Sequence, residues 1–426
     1  MKNEILRAKC VDMSVDGQGI AKADNLVIFV KGMIKGEEAD VKIIAEKKNY
    51  SFGIIDKLIV PSPYRVESDC KISYKCGGCD YRYIDYDYQL KLKKEVLDNT
   101  FKEFAVNNII PDEHRIYYRN KVQIPVKDNK MGFYRKFSND IVEFDDCKIE
   151  SAYANRIIDD LKKLLLNTKQ EKLIRHIVIK HAIGTNEVML AYVTKSFDID
   201  LSEINKVILD KYKEIKSIII NLNDKETNVI LGDKEKLLYG RDFIVDEFDN
   251  LKFKISLKSF YQVNYNQMIK LYEQIKEFAQ ATKEDKLLDL YCGIGTISLY
   301  MSRYVKEVTG VEIVSQAIEN AKENAKINNI SNANFICADA SKKMDEYIKD
   351  KDIVIVDPPR KGLSKELIET LIKHKIKKIV YVSCNPATLY RDLMLFKDYY
   401  DVSNIQPVDM FPYTTHVENV CCLKLK

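Results

Sequence analysis

Leu287-Leu288-Asp289-Leu290-Tyr291-Cys292-Gly293-Ile294-Gly295-Thr296 is an apolar strand running straight into a glycine turn. Glycines at 293 and 295 let the backbone turn tightly and approach a ligand without a Cβ in the way. A helix opening at such a turn presents free N–H groups. Further apolar strands at 308–311, 334–337, 353–356 and 378–382 alternate with helical stretches at 315–328 and 365–374. That alternation predicts a doubly wound parallel sheet, a Rossmann-like α/β unit over 265–426.

Upstream the pattern differs. Short apolar runs at 26–30, 39–44 and 52–58, separated by Gly17, Gly19, Gly32 and Gly36, predict a small OB-like β-barrel over 1–60. Pro61-Ser62-Pro63 closes it. The span 61–264 reads as a mostly β central unit. It has a helix at 88–104, another at 152–166, and a hairpin whose arms at 174–180 and 187–193 flank Gly184-Thr185-Asn186.

Composition bounds the rest. The 426 residues are 46% hydrophobic and 31% charged, ordinary for a chain with a sizeable core. No apolar run reaches the ~18 residues of a spanning helix. The first residues carry no apolar signal region, so a cytoplasmic location without a membrane partner is expected. A net charge of +4 does not by itself mark a nucleic-acid binder. Ten cysteines in a cytosolic chain point to ligands or catalysis rather than disulfides.

The glycine turn suggests a nucleoside cofactor. Glu312 ends the next strand, where a carboxylate accepts ribose hydroxyls. Ser298 stands where a dinucleotide fingerprint has its third glycine, which weakens a pyrophosphate reading. A phosphate-free cationic nucleoside, S-adenosylmethionine, fits better.

Val382-Ser383-Cys384-Asn385-Pro386 puts a thiol at the end of another strand, and Asp357-Pro358-Pro359-Arg360 ends the strand before it. Open α/β sheets bind ligands at such ends. A lone strand-end cysteine is more often a small buried hydrophobe. Here Asn385-Pro386 follows at once and the cofactor turn shares the sheet. Glu418, in His416-Val417-Glu418-Asn419, supplies a second carboxylate, although a glutamate there is equally well a surface charge. Carbon 5 of a pyrimidine becomes nucleophilic once a thiolate adds to C6, and a base must then remove the C5 proton. Cys384 and Glu418 fit those two roles.

Ser259-Phe260-Tyr261-Gln262-Val263-Asn264, the 289–295 turn, Asp357-Pro358-Pro359-Arg360-Lys361-Gly362, Ser383-Cys384-Asn385-Pro386 and His416-Val417-Glu418 occur in the order seen in the RNA uracil-5-methyltransferases. The chain resembles the ribosomal members of that family over nearly its full length. The resemblance implies Cys384 as nucleophile and Glu418 as proton-abstracting base. It also implies that Gln262, Tyr291, Gly293, Glu312 and Asp357 lie against cofactor or nucleoside.

Cys70-x5-Cys76-x2-Cys79, with Gly77-Gly78 inside it, is spaced to wrap a metal or cluster, and Cys147 is the candidate fourth ligand. Thiolate chemistry alone leaves four-thiolate zinc and a [4Fe-4S] cluster open. The resemblance implies the cluster. The N-terminal barrel resembles the TRAM domain, which implies RNA as partner; no obligate protein partner is indicated. Relatives acting on transfer RNA commonly lack the barrel and the cysteine cluster, so 23S ribosomal RNA is the expected substrate and transfer RNA the alternative. A radical methylthiotransferase would need Cys-x3-Cys-x2-Cys, which is absent. A non-catalytic RNA-binding protein would not need Cys384.

Overall fold

The computed structural model describes residues 2–136, 138–225, 227–342 and 344–426. The N-terminal strands β1 (Ile5–Met13), β2 (Gly19–Ala23), β3 (Leu26–Lys31), β4 (Glu38–Glu46) and β5 (Ser51–Val60) form a closed barrel. Alternation drives it: along the first half of β4 every second residue is buried. Closure leaves no unpaired edge. Helix α1 (Tyr86–Thr100) follows, with the Asp85 side chain accepting from the Tyr88 N–H at 3.2 Å as its N-cap.

The central sheet holds β6 (Lys121–Lys127), β7 (Lys130–Tyr134), β8 (Ile141–Glu143), β9 (Ile174–Ala182), β10 (Glu187–Thr194), β11 (Ile215–Leu222) and β12 (Lys234–Gly240), in the order β12-β11-β10-β9-β6-β7-β8. The expected hairpin is β9 and β10, antiparallel, with Glu187 opposite Ala182. Helices α2 (Ala152–Leu165) and α3 (Ser202–Lys211) cover one face. The hairpin β13 (Phe243–Phe248) and β14 (Leu251–Ser256) shares a core with the other face and with α4 (Tyr265–Ala279).

The C-terminal unit contains β15 (Lys286–Leu290), α5 (Thr296–Met301), β16 (Glu307–Glu312), α6 (Ser315–Ile327), β17 (Ala333–Cys337), α7 (Asp345–Ile348), β18 (Ile353–Val356), α8 (Lys365–Lys373), β19 (Lys378–Ser383), α9 (Pro386–Phe396), β20 (Tyr400–Val402), β21 (Gln406–Val408) and β22 (Glu418–Leu425). Its sheet order is β17-β16-β15-β18-β19-β22-β20, with β21 beside β22. The first five are parallel; β22 enters antiparallel to β19. The order reverses between β15 and β18, which opens a crevice at their C-terminal ends.

One placement departs from a unit boundary drawn on sequence. The stretch 86–110 lies inside the 61–264 range yet packs elsewhere. Tyr88 and Leu92 of α1 join the barrel core, while Leu97, Phe101 and Ile109 join the core of the C-terminal unit. Val106 and Ile110 form parallel bridges to Ile405 and Val408. An amphipathic pattern shows which residues are buried, not which neighbour buries them. Among the described residues no helix is long and apolar enough to cross a membrane.

Candidate active site

The turn after β15 is shaped by backbone conformation. Tyr291, Gly293 and Gly295 have φ of 67°, 54° and 80°. At Gly295 a Cβ would lie 2.9 Å from the Phe335 ring, so the glycine is required by close packing; at Gly293 it would meet nothing within 4 Å. The Gly293 position therefore faces open space, as a ligand-approaching backbone must. Gly293 N donates to Glu312 Oε2 at 3.3 Å, and Val314 N to Oε1 at 2.9 Å. These bonds aim the Glu312 carboxylate at the turn. Ser298, in place of a third glycine, donates its hydroxyl to buried Asp289 Oδ2 at 2.6 Å. Burial pushes Asp289 up to about 7, with the neighbouring charges of Asp357 and Glu312 adding. Its Oδ1 is buried without a hydrogen-bond partner. Asp289 is thus a fully buried carboxyl near the end of β15 that motif reading left without a role; its place in an apolar strand just before the glycines was the available signal.

Cys384 follows β19 directly. Asn385 caps α9, its side chain accepting from Ala387 N at 3.1 Å, with Pro386 in the first turn. The thiol is half-buried just outside that helix N-terminus, whose partial positive charge favours a thiolate. Asn385 Nδ2 and Thr388 Oγ1 donate to the Arg360 carbonyl at 3.0 and 3.2 Å, fastening the 357–362 loop to α9. Burial raises the Cys384 thiol; the charges of Glu418 and Asp357 add, and Arg360 opposes them. Glu418 is buried at the first position of β22 and is pushed up to about 8 by burial, then by Asp357, against Arg360. Burial likewise pushes Asp357 up to about 7. Residues distant in sequence thus act on one another within one electrostatic group: Glu312, Asp289, Asp357, Glu418, Cys384 and Arg360. Arg360, a motif residue to which the motif gives no role, is the cation of that group.

Gln262 belongs to the segment between β14 and α4. It is buried, and its carbonyl accepts from Asn120 Nδ2 at 2.9 Å. Cys384 opens onto a cavity of about 290 Å³, walled by Arg360, Thr415, His416 and Val417, by Lys93 and Val96 of α1, and by Val15 and Asp16 of the barrel. Three parts of the chain therefore meet at the candidate nucleophile.

The other cysteine group lies in the central unit. Cys70, Cys76, Cys79 and Cys147 line one cavity of about 90 Å³, together with Arg82, Arg119 and Glu150. All are free thiols. Cys147 is positioned by Asn155 of α2, whose Oδ1 accepts from the Cys147 N–H at 3.0 Å. Burial pushes Cys79 up to about 12 and raises Cys76. Arg82 Nη1 and Arg119 Nε are buried without hydrogen-bond partners. Among the described residues no three His, Cys, Asp or Glu side chains are gathered as a site for a single metal ion.

The reversing parallel sheet, the glycine turn bonded to Glu312, and a strand-end cysteine sharing its electrostatic surroundings with a buried glutamate place the chain among the α/β proteins that bind a ligand at the strand ends. The sequence profile of the tRNA (Uracil-5-)-methyltransferase family matches residues 85–426, and that of the TRAM domain matches residues 1–55. An RNA methyltransferase of Bacillus cereus is 39% identical over 447 residues, covering 100% of this chain and 98% of its own. One of Staphylococcus aureus is 40% identical over 450 residues, covering 100% and 99%. The solved structure of the Pyrococcus abyssi tRNA (uracil-54, C5)-methyltransferase in complex with S-adenosyl-L-homocysteine matches with a TM-score of 0.82 at 30% identity, over 98% of this chain and 99% of that one. The chain belongs to the tRNA (uracil-5-)-methyltransferase family; it is an S-adenosylmethionine-dependent RNA (uracil-5-)-methyltransferase with an N-terminal TRAM barrel.

Proposed function

We propose that Cys384 and Glu418 methylate C5 of an unpaired or easily unpaired uridine by a covalent route. The observation that carries this reading is the half-buried Cys384 thiol beside buried Glu418 and the Arg360 cation. Deprotonated Cys384 adds to uracil C6, and the electron pair moves onto C5 and the adjoining carbonyl. S-adenosylmethionine, which the 289–295 turn would hold, would supply the methyl as an electrophilic sulfonium; C5 takes the methyl as the S–CH3 bond breaks, and S-adenosylhomocysteine is the leaving group. Glu418 then takes the C5 proton, C5=C6 re-forms, and the Cys384 thiolate leaves. A carboxyl raised to about 8 is a stronger base once ionised than an ordinary glutamate. Glu312 is suited to the ribose hydroxyls, with Tyr291, Gly293, Asp357 and Gln262 lining cofactor or base. The target base must leave its stack, which RNA loops make cheap.

We read the four-thiol cavity as the site of a [4Fe-4S] cluster, with four-thiolate zinc as the alternative. The family resemblance favours the cluster, and the two buried guanidinium nitrogens without partners beside the thiols are placed to offset the charge of several sulfurs. Cys70, Cys76, Cys79 and Cys147 would hold it; the transfer needs no redox step from it.

For the RNA, 23S ribosomal RNA remains our primary reading. Transfer RNA is favoured by the Pyrococcus match, which spans the barrel, so the barrel no longer separates the two. The test is methyl transfer from labelled S-adenosylmethionine to unmodified 23S ribosomal RNA and transfer RNA in parallel, digesting for 5-methyluridine, with Cys384→Ala alongside. Label in ribosomal 5-methyluridine, lost in the variant, supports both parts. Label in transfer RNA alone overturns the substrate. No label in either overturns the reaction.

A further inference from the structure

The four-cysteine loop and the wall of the Cys384 cavity meet at one residue. Residues 409–417 leave the sheet after β21 and return as β22, with Val408 and Glu418 paired across the base. Thr415, His416 and Val417 of this loop wall the cavity onto which Cys384 opens. At the tip, Tyr413 is held in the left-handed region, with φ of 66°. A residue with a side chain stays there only when its surroundings over-determine it.

Those surroundings come from the cysteine loop and from α1. Asp80 N and Tyr81 N both donate to the Tyr413 carbonyl, at 2.9 and 3.0 Å. The Tyr413 N–H donates to Gln89 Oε1 at 3.2 Å. The Arg82 guanidinium carbon lies 3.8 Å from the centroid of the Tyr413 ring. Arg82 is buried, bound through two nitrogens to Asp69 at 2.6 and 2.5 Å. Its third nitrogen has no hydrogen-bond partner, and the residue lines the cavity of the four thiols. The same guanidinium therefore borders the thiol cavity and covers Tyr413. Three residues on, a His416 ring nitrogen lies 3.2 Å from Arg360, the cation beside Cys384.

We propose that Arg82 and Tyr413 are positioning residues that transmit the order of the four-cysteine loop to the catalytic wall at 411–417. The proposal rests on Cys384 as nucleophile and on the four cysteines holding an iron–sulfur group. Filling the thiol cavity fixes the loop that ends in Asp80-Tyr81-Arg82. That segment fixes Tyr413, and Tyr413 fixes the wall carrying His416. Emptying the cavity releases the wall while the cofactor turn, on the other side of Cys384, keeps its shape.

The test uses the full chain, native and as Tyr413→Phe, Tyr413→Leu, Arg82→Lys and Arg82→Ala, purified anaerobically. Amide hydrogen exchange is followed in peptides spanning 411–417 and 289–296, before and after reconstitution with ferrous iron and sulfide. Reconstitution is expected to slow exchange at 411–417 about tenfold in the native chain and in Tyr413→Phe, which keeps the ring. It should do so partly in Arg82→Lys, and not in Tyr413→Leu or Arg82→Ala. The 289–296 peptide should not change. In the reconstituted chains, kcat with saturating RNA should fall about tenfold in Tyr413→Leu and Arg82→Ala, with KM for S-adenosylmethionine within about twofold of native. Equal slowing in every variant overturns the coupling. So does slowing shared by both peptides, which means general tightening, and so does a native chain that takes up no iron. Exchange needs neither RNA nor turnover. A native chain that shows the coupled exchange but methylates no uridine retracts the functional reading and leaves the coupling standing.

Discussion

One cysteine lines one cavity of this protein and four line another, and their surroundings suit them to different proposed roles. Cys384 is half-buried at the end of β19, outside a helix N-terminus, beside Arg360, on a cavity of about 290 Å³. Cys70, Cys76, Cys79 and Cys147 lie in loops around a cavity of about 90 Å³. A thiol that must attack and leave needs access and a counter-charge. Thiols that hold a group permanently need enclosure and donors to offset the charge of several sulfurs. A regular sheet places the first; turns held by side-chain hydrogen bonds place the second.

The sharpest way to break this contrast is substitution on each side of it. Cys384→Ala should reduce methyl transfer by at least ~10⁴-fold, as loss of a covalent nucleophile does. Iron content and melting temperature should stay native. Transfer measured with labelled cofactor checks the first, and metal analysis with calorimetry the second. Residual transfer within tenfold of native would show that Cys384 is not the nucleophile.

Glu418→Gln should lower turnover by about 10²–10⁴-fold, the usual scale for a general base. Because the base acts after addition, a protein–RNA adduct should accumulate and be visible on a denaturing gel. The same change should stabilise the fold at alkaline pH. The unfolded carboxyl ionises near 4.5 and the folded one near 8, so the folded chain binds the proton more tightly. Stability from this group is full at low pH and is lost as pH rises from about 4.5 to 8. Glutamine cannot ionise, so the melting temperature of the variant should exceed that of native protein at pH 8.5 and match it near pH 4.5. A variant less stable than native at both values would sink that account.

On the other side of the contrast, Cys79→Ala should abolish iron uptake and lower the melting temperature by several degrees. It should leave some methyl transfer, in contrast to Cys384→Ala. Loss of transfer as complete as in that variant, with the fold intact, would erase the distinction between the two groups.

The smallest effect is on pH dependence. Transfer under single-turnover conditions should rise with pH through about 8 as Glu418 ionises, and go on rising above it because burial holds the Cys384 thiol above its ordinary value. A rate flat between pH 6 and 8.5 would mean that neither ionisation governs the chemical step.

Much of the candidate site was legible along the chain because regular elements carry it. The apolar strand before Gly293, the strand before Cys384 and the Asn385-Pro386 helix start are local signals, and parallel strands bring their C-terminal ends to one edge. The hairpin around Gly184-Thr185-Asn186 is local in the same way. Arg360 and Asp289 lie inside sequence motifs, yet their surroundings depend on charges supplied by distant strands. The split of α1 between two cores was not legible either, since its pattern of apolar residues is the same whatever packs on it.

The sequence by itself determined the strand and helix alternation, the thiol and carboxylate at strand ends, and the spacing of Cys70, Cys76 and Cys79, because each depends on residues close along the chain. The tertiary structure decided that Glu418 is buried within reach of the Asp357 charge, that Cys147 joins the other three thiols, and that Tyr413 is held between Arg82 and Gln89. Those relations arise only when distant segments exclude water from one another, and burial and mutual charge are properties of the packed neighbours, not of the residue.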